Sequence, residues 1–433
     1  MARSKHRYGL TLTLALGALL PGVGHADDKD LAPYKMLRSL QFVQDSVVLG
    51  DHSAEEMQRF MLSTIDDRLR SADRSVFEDV RNVDAALVYT MSGGNPDTLE
   101  FLMARDVDGH FDNRVADVLR KYLSGKGLLI VKTLADTAKE YRDKKIGPYL
   151  SLVAANVMSA KDPKAALKLY DWARLTSPGT IVEEAALRRS MALSTEAKMV
   201  PQSLTYSQLY ARRFLHSPYA SQFADLFVKL VVDHNTEIKP EDIIDILSFM
   251  DGARKREVYL RIARSATIAG KNDLARMASA QAAAIPSDGG DSFNQLANFY
   301  GGVANVSTDK ADAAAHDINE IPEGELNARD RALRDAAKTV ADAVTRLPEP
   351  QSLTQASRTK PANGETRHDG AASVETLGTK SPAAAAVGQG AAASAAQPHD
   401  GGGQDADSSF TTFVTSSQSK LDALDGLLKQ EGN

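Results

Sequence analysis

The 433-residue sequence predicts an all-α fold, a solenoid of helical hairpins followed by a disordered low-complexity tail. Three observations lead to this prediction. Apolar residues recur every three or four positions from residue 30 to about 347, which is typical of helices with one buried face. Glycines and prolines separate these periodic segments, where helices are expected to end. Beyond Pro348 the bulky apolar residues nearly vanish.

The hairpin between Pro148 and Pro178 indicates which type of solenoid this is. Ala166, Tyr170, Ala173 and Pro178 follow the spacing Ala-x3-Tyr-x2-Ala-x4-Pro, which is the second-helix half of a tetratricopeptide-type (TPR-like) repeat of about 34 residues. The small alanines let two helices approach closely, and Pro178 ends the helix because it has no N–H to donate. Such solenoids hold partners and rarely perform chemistry.

Three hairpins of this kind are predicted in the middle of the chain. They pair residues 149–158 with 165–175, 182–193 with 204–215, and 258–268 with 274–284. Pro178, Pro218 and Pro286 end them, at separations of 40 and 68 residues. Leu150 and Ala154 stand where the repeat consensus has tryptophan and glycine. The array is therefore a diverged repeat of irregular length.

Two helices are predicted near the start of the solenoid. The first carries an apolar stripe and should end near Gly50, and its stripe consists of Met36, Leu40, Val43 and Val47. Ser53 and Glu56 have the spacing of a capping box at the start of the second helix. Its stripe consists of Met57, Met61, Ile65 and Leu69.

A further hairpin is predicted from residues 76–91 and 98–104, separated by the helix-stop sequence 93–96. Residues 128–131 leave two interpretations open. Their apolar run is compatible with a short strand, but apolar residues continue at helical spacing after it, which favours a helix.

The first 26 residues have the three-part design of a secretory signal. Arg3, Lys5 and Arg7 precede an apolar run over residues 10–20, and small residues lead to a cleavage site after Ala26. The run is too short to span a bilayer. No later segment is long and apolar enough to cross one, so we expect an exported protein without a membrane span.

Charge and cysteine content restrict the function classes. Loss of residues 1–26 would change the formal net charge from −6 to −9, which argues against a nucleic-acid partner held by phosphate contacts. The absence of cysteine excludes thiol catalysis, iron–sulfur clusters and cysteine zinc sites. Export without disulfides suits a bacterial periplasm.

Four segments are predicted: a signal peptide (1–26), an all-α TPR-like repeat domain (27–348), a low-complexity linker (349–409) and a short amphipathic tail helix (410–433). The linker has too few apolar residues to offset the entropy of ordering. The tail helix would carry Leu421, Leu424, Leu427 and Leu428 on one face. We favour a structural interpretation, in which this helix docks back onto the solenoid or frays. The alternative is a tethered recognition helix that binds a groove of a partner.

The sequence contains no catalytic, cofactor or metal motif that withstands inspection. Neither a Gly-x-Ser-x-Gly elbow nor a phosphate-binding loop occurs, and no His-x3-His or His-Glu-x-x-His pair is present. Asp106-Val107-Asp108-Gly109 is reminiscent of a calcium loop, but with Gly109 at loop position six, Ala104 and Val115 occupy the two positions that need carboxylates. We expect no enzyme activity, no cofactor and no metal.

Three basic clusters lie on predicted helices: Arg188-Arg189, Arg212-Arg213 and Arg254-Lys255-Arg256. The favoured interpretation is a set of solvated faces with acids nearby. The alternative is that they meet an acidic partner or a cell-wall polymer.

The segment from Tyr34 to Asp45 (YKMLRSLQFVQD) and the following Gly50-Asp51-His52-Ser53-Ala54 resemble the rhizobial family of periplasmic motility (chemotaxis) proteins called MotC. The arrangement over residues 156–178 is similar to that family too. The resemblance covers the chain from the signal cleavage site to about residue 348.

The resemblance implies a periplasmic accessory of the flagellar motor that binds the periplasmic part of the stator subunit MotB and supports flagellar rotation, with no enzymatic role and no cofactor. It supplies no residue-level motif, so the partner-binding residues and the oligomeric state stay unassigned. Two alternatives are a helical-repeat scaffold for another envelope machine, in secretion or cell-wall assembly, and a wall-active hydrolase. The hydrolase is disfavoured because the region after the solenoid has no room for a catalytic domain.

Overall fold

The computed structural model describes residues 31–286, 292–321, 324 and 326–346. Within these residues the regular structure is entirely helical, with seventeen α-helices, two short 3-10 helices and no strand. The predicted all-α fold is confirmed. The helices run from Pro33 to Thr345, inside the predicted domain boundaries of 27 and 348.

The α-helices are, in chain order, α1 Pro33–Val48, α2 Ala54–Ser71, α3 Val80–Met91, α4 Pro96–Arg105, α5 Asn113–Leu123, α6 Val131–Glu140, α7 Gly147–Met158, α8 Pro163–Thr176, α9 Ile181–Glu196, α10 Val200–Arg213, α11 Ala220–Asp233, α12 Pro240–Leu247, α13 Gly252–Ile268, α14 Asn272–Ala283, α15 Ser292–Asn305, α16 Ala311–Glu320 and α17 Ala328–Thr345. Consecutive helices from α6 to α10 and from α13 to α17 pack against one another, as expected of stacked hairpins.

The signature hairpin is the pair α7 and α8. Asp162 caps α8, its carboxylate accepting a hydrogen bond from the Ala165 amide at 3.0 Å. Ala166, Tyr170 and Ala173 are buried to 2% exposure or less, because they form the face that packs against the neighbouring helices. The helix ends at Thr176, two residues before Pro178.

Tyr170 also closes a polar relay across three helices. Its hydroxyl donates to Asn156 Oδ1 at 2.7 Å, and Asn156 Nδ2 donates to the Tyr122 hydroxyl at 3.0 Å. Burial raises the pKa of Tyr170 well above its ordinary value. These two hydrogen bonds join α5, α7 and α8. Tyr170 therefore holds the three helices in position through its hydroxyl and also fills space in the core through its ring.

The other two predicted hairpins are confirmed as α9 with α10 and α13 with α14. The 68 residues between Pro218 and Pro286 include two further helices, α11 and α12. Helix α11 packs against α9, α10 and α13, and its Phe223 stacks on Tyr210 with ring centroids 4.5 Å apart. This aromatic contact continues the core across the irregular part of the array.

Two local predictions were wrong, and one open alternative is resolved in favour of the helix that the sequence favoured. Ser53 precedes α2, but its side chain makes no capping hydrogen bond, because its hydroxyl donates to Asp51 Oδ1 at 2.5 Å. Residues 76–91 form two elements, a 3-10 helix Arg74–Glu78 and then α3, since Asp79 caps α3 by accepting from the Arg81 amide. The strand alternative at residues 128–131 is excluded, because Gly127–Ile130 is a 3-10 helix that leads into α6.

The apolar stripe of α2 is only half covered. Ile65 and Leu69 are buried at 1% and 0% exposure, whereas Met57 is 50% exposed and the neighbouring Phe60 is 64% exposed. The helical periodicity is confirmed, but the stripe packs against the core only from Met61 onward, and Met57 stays exposed.

Helix α1 contacts helices that lie far from it in the sequence. Asn82 Oδ1 on α3 accepts from the Tyr34 amide at 3.1 Å, and Gln41 Nε2 donates to the Tyr149 hydroxyl on α7 at 2.8 Å. Asp45 Oδ1 accepts from the amide of Ile181, the first residue of α9, at 3.0 Å. A single helix therefore braces α3, α7 and α9.

Two hydrophobic cores meet along this brace. Met36, Leu37 and Leu40 of α1 belong to a core shared by α1–α7, while Val48 belongs to a core that continues to α17. Helix α7 also contributes to both, for example through Ala155 in the second core. The two cores are thus tied together by α1 and α7.

The predicted signal peptide (1–26), the linker (349–409) and the tail segment 410–433 with its leucine stripe lie outside the described residues. Among the helices that the structure does describe, none is long and apolar enough to cross a membrane.

Gly50 lets the end of α1 approach the loop after α10. It has φ +110°, and a Cβ placed there would lie 2.7 Å from His216 Cβ. We expect Gly50→Ala to lower the free energy of unfolding by about 3 kcal/mol, from backbone strain and overpacking together. Urea denaturation measures this change.

The matched control is Gly93→Ala. Gly93 has φ +90° and no atom within 4 Å of the added Cβ, so only the backbone strain of about 1 kcal/mol applies. Equal destabilisation by the two variants would contradict a tight contact at His216.

Candidate partner-binding cleft

Asp106 of the segment that resembles a calcium loop serves local structure, as do Asp112 and His234. The Asp106 carboxylate accepts from the amides of His110 and Phe111 at 2.9 and 3.0 Å, and Asp112 caps α5. His234 is buried against the Thr195 carbonyl and Glu237. Over the described ranges, no group of three or more His, Cys, Asp or Glu side chains is placed to hold a metal ion.

Adjacent acids point to different partners. Glu183 accepts from Arg213 Nη1 at 2.5 Å, and the fully buried Glu184 accepts from Arg188 Nε at 2.9 Å and from the Tyr210 hydroxyl at 2.9 Å. Each carboxylate therefore links α9 to a side chain of α10.

Four arginines of the three predicted basic clusters also serve local structure. Arg188 and Arg213 pair with the acids of α9, and Arg254 donates to the Leu215 carbonyl at 2.9 Å. Arg256 is buried and donates to the carbonyls of Ile285 and Pro286. The guanidinium groups of these four arginines already donate to carboxylates or backbone carbonyls.

A different part of the surface gathers cations that form no salt bridge within the described residues. An open cleft of about 810 Å³ lies between α1, the loop before α7 and the end of α8. We call it the α1–α8 cleft. Its walls are Arg38, Gln41 and Asp45 of α1, Arg142, Asp143, Lys144, Lys145, Pro148 and Tyr149 around the start of α7, and Trp172, Thr176, Ser177, Pro178 and Thr180 around the end of α8.

Both prolines that bound the signature hairpin thus line one cleft. Gly147 lets the basic loop fold back over the start of α7, because a Cβ at this position would lie 2.6 Å from the Tyr141 carbonyl oxygen and closer still to that of Arg142. Any other residue would displace the loop. The glycine therefore places the cations of residues 142–145 at the cleft.

Cationic side chains outnumber carboxylates four to two in the lining of the cleft. No carboxylate within the described residues forms a salt bridge with Arg38, Arg142, Lys144 or Lys145. Arg142 instead places its guanidinium carbon 5.2 Å from the centre of the Trp172 ring, a cation–π contact. The exposed cations of the cleft are consequently available to an anionic group.

Asp45 is one of the two acids that line this cleft. Burial raises the pKa of the Asp45 carboxyl above its ordinary value, and the hydrogen bond from the Ile181 amide offsets only part of the rise. That hydrogen bond also occupies the amide at the start of α9, so the positive end of this helix already has its acceptor.

Sequence reasoning missed this cleft. Its signal was the run Arg142-Asp143-Lys144-Lys145 directly before Gly147-Pro148, a basic loop at the entrance to the best-predicted hairpin. The basic clusters predicted from the sequence lie on helices, where acids or carbonyls pair with four of their arginines. In the loop, Lys145 lies near Asp79 and Asp84, and Lys144 lies near Asp84, but neither lysine forms a salt bridge within the described residues.

The fold and the cleft define a class of all-helical hairpin-repeat protein with a cation-lined groove. The chain belongs to the MotC family, described as Chemotaxis protein MotC, whose match spans residues 1–433. It is 52% identical over 418 residues to a Rhizobium meliloti (strain 1021) protein named Chemotaxis protein MotC, a match that covers 95% of each chain. No solved structure matches it. The resemblance seen in the sequence is confirmed, and the family is one of chemotaxis proteins rather than an enzyme family.

The raised pKa of Asp45 predicts a pH-dependent stability difference. The folded chain holds this proton more tightly than the unfolded chain, whose aspartate titrates at about 3.9. The stabilisation from the bound proton is therefore full below that value and is lost as pH rises through the folded pKa.

Asp45→Asn keeps an oxygen acceptor but does not titrate. Its free energy of unfolding minus that of the wild type should increase as pH rises above about 3.9, then level off. Denaturation at a series of pH values measures this difference. A difference that stays constant, or that falls with pH, would contradict the assignment.

Proposed function

We propose that this protein is a periplasmic accessory of the flagellar motor that binds the periplasmic part of the stator subunit MotB and is needed for flagellar rotation. The single observation that carries the proposal is the family match over the whole chain, with a relative of nearly equal length at 52% identity. The family description supports a motility role.

Three further features support the binding part of this proposal. The described chain is a helical repeat array, a form that offers a long surface to partners. Asp112 caps a helix, and Glu183 and Glu184 pair with arginines; because these carboxylates have structural partners, we propose a role without catalysis. The signal-like residues 1–26 support export to the periplasm.

Deletion of the gene tests the motor role. We expect the deletion strain to assemble flagella, counted by electron microscopy, yet to swim slowly or not at all when tracked. Expression of the full chain from a plasmid should restore swimming. Normal swimming by the deletion strain would end the proposal.

Partner capture distinguishes the alternative envelope scaffold. Crosslinking of the exported chain in living cells, followed by identification of the crosslinked protein, should recover the stator subunit. Recovery of a secretion or cell-wall assembly component without the stator would favour the alternative. N-terminal sequencing of the periplasmic fraction should read Asp27 first if the signal is cleaved after Ala26.

A further inference from the structure

We propose that the α1–α8 cleft binds an acidic peptide segment of the partner protein. The chemical class of the ligand is argued from the residues that line the cleft. The proposal rests on the proposed function only for the identity of the protein that carries the segment, the periplasmic part of the stator.

Charge is the first argument. The whole chain has a formal net charge of −6, yet the cleft collects Arg38, Arg142, Lys144 and Lys145 around two acids, one of which already accepts a backbone hydrogen bond. Asp84 on α3 lies within electrostatic range of Lys144 and Lys145 but forms no salt bridge with either. A local positive field on an acidic protein steers and orients an anionic partner.

The placement of the cations favours a ligand that carries several separate carboxylates. Arg38 lies on α1, whereas Lys144 and Lys145 lie on the loop before α7, so the charges come from two walls of an open cleft. An extended peptide with spaced acidic side chains can meet both walls at once. Lysine acts as a point charge, and arginine can bind a carboxylate through two parallel hydrogen bonds.

Two other anionic ligands fit the cleft less well. A phosphate group would be expected at free amides of a helix N-terminus, but the Ile181 amide already donates to Asp45. A saccharide would be expected to stack on an open aromatic face, but Arg142 lies over the Trp172 ring. Side-chain carboxylates need neither feature.

The cleft offers its own reporter, because Trp172 is the single tryptophan of the chain. Full-length mature protein is titrated with a synthetic peptide of alternating glutamate and alanine, and tryptophan fluorescence is recorded. We expect a saturable change, with an affinity that falls as salt is added. A lysine–alanine peptide should produce none.

Charge reversal of the loop tests the location. Lys144→Glu with Lys145→Glu should weaken binding of the glutamate peptide by about tenfold or more. The matched control is Lys164→Glu with Lys168→Glu, which reverses two exposed lysines of α8 outside the cleft. Thermal unfolding confirms that both variants fold.

Equal binding by the two variants would overturn the cleft assignment, as would the absence of any response to the glutamate peptide. Binding of polygalacturonate in place of the peptide would overturn the peptide assignment in favour of an anionic saccharide.

Capture with the purified periplasmic region of the stator separates this inference from the proposed function. If the wild type and the Lys144/Lys145 variant retain it equally, the cleft inference fails while the motor role stands. If the wild type does not retain it but binds the glutamate peptide in the cleft, the stator assignment fails while the cleft stands. If the wild type retains the stator region and the Lys144/Lys145 variant does not, both the motor role and the cleft inference are supported.

Discussion

The contact of α1 with three distant helices is the interaction on which the rest of this structure depends. Side chains and backbone of α1 form hydrogen bonds with Asn82 of α3 and Tyr149 of α7. Asp45 of α1 also accepts a hydrogen bond from the Ile181 amide at the start of α9, 136 residues away. A hairpin array has mainly nearest-neighbour contacts. A helix that crosses several hairpins adds long-range order that the array alone lacks, because separating any two of them would break its bonds.

The proposed binding surface follows from that brace. Helix α1 is one wall of the α1–α8 cleft, and the opposite walls are the two ends of the signature hairpin. Gly147 fixes the basic loop by a close backbone approach. A groove held in this way requires little reordering when a ligand enters, which favours affinity. The family membership supplies the biological setting, and the cleft supplies the chemistry of recognition.

The sequence was sufficient where the determining signals are local. Ala166, Tyr170 and Ala173 sit at helical spacing between proline stops, and the hairpin they predict is present. It was insufficient where the outcome depends on distant packing. The stripe of α2 is equally apolar at both ends, yet Met57 is exposed, because no later helix of the described residues covers it. The cleft was missed because its walls come from α1, the loop before α7 and the end of α8, and helical periodicity does not encode how such distant segments pack together.

Native-state hydrogen exchange of the full chain tests the bracing role of α1 most directly. If α1 is integral to the array, buried amides such as Leu40 should open with the same free energy as buried amides of α3 and α9, since all three helices are released in one cooperative unit. If α1 amides exchange at a much lower opening free energy than those of α3 and α9, the helix is a detachable appendage and the account is contradicted.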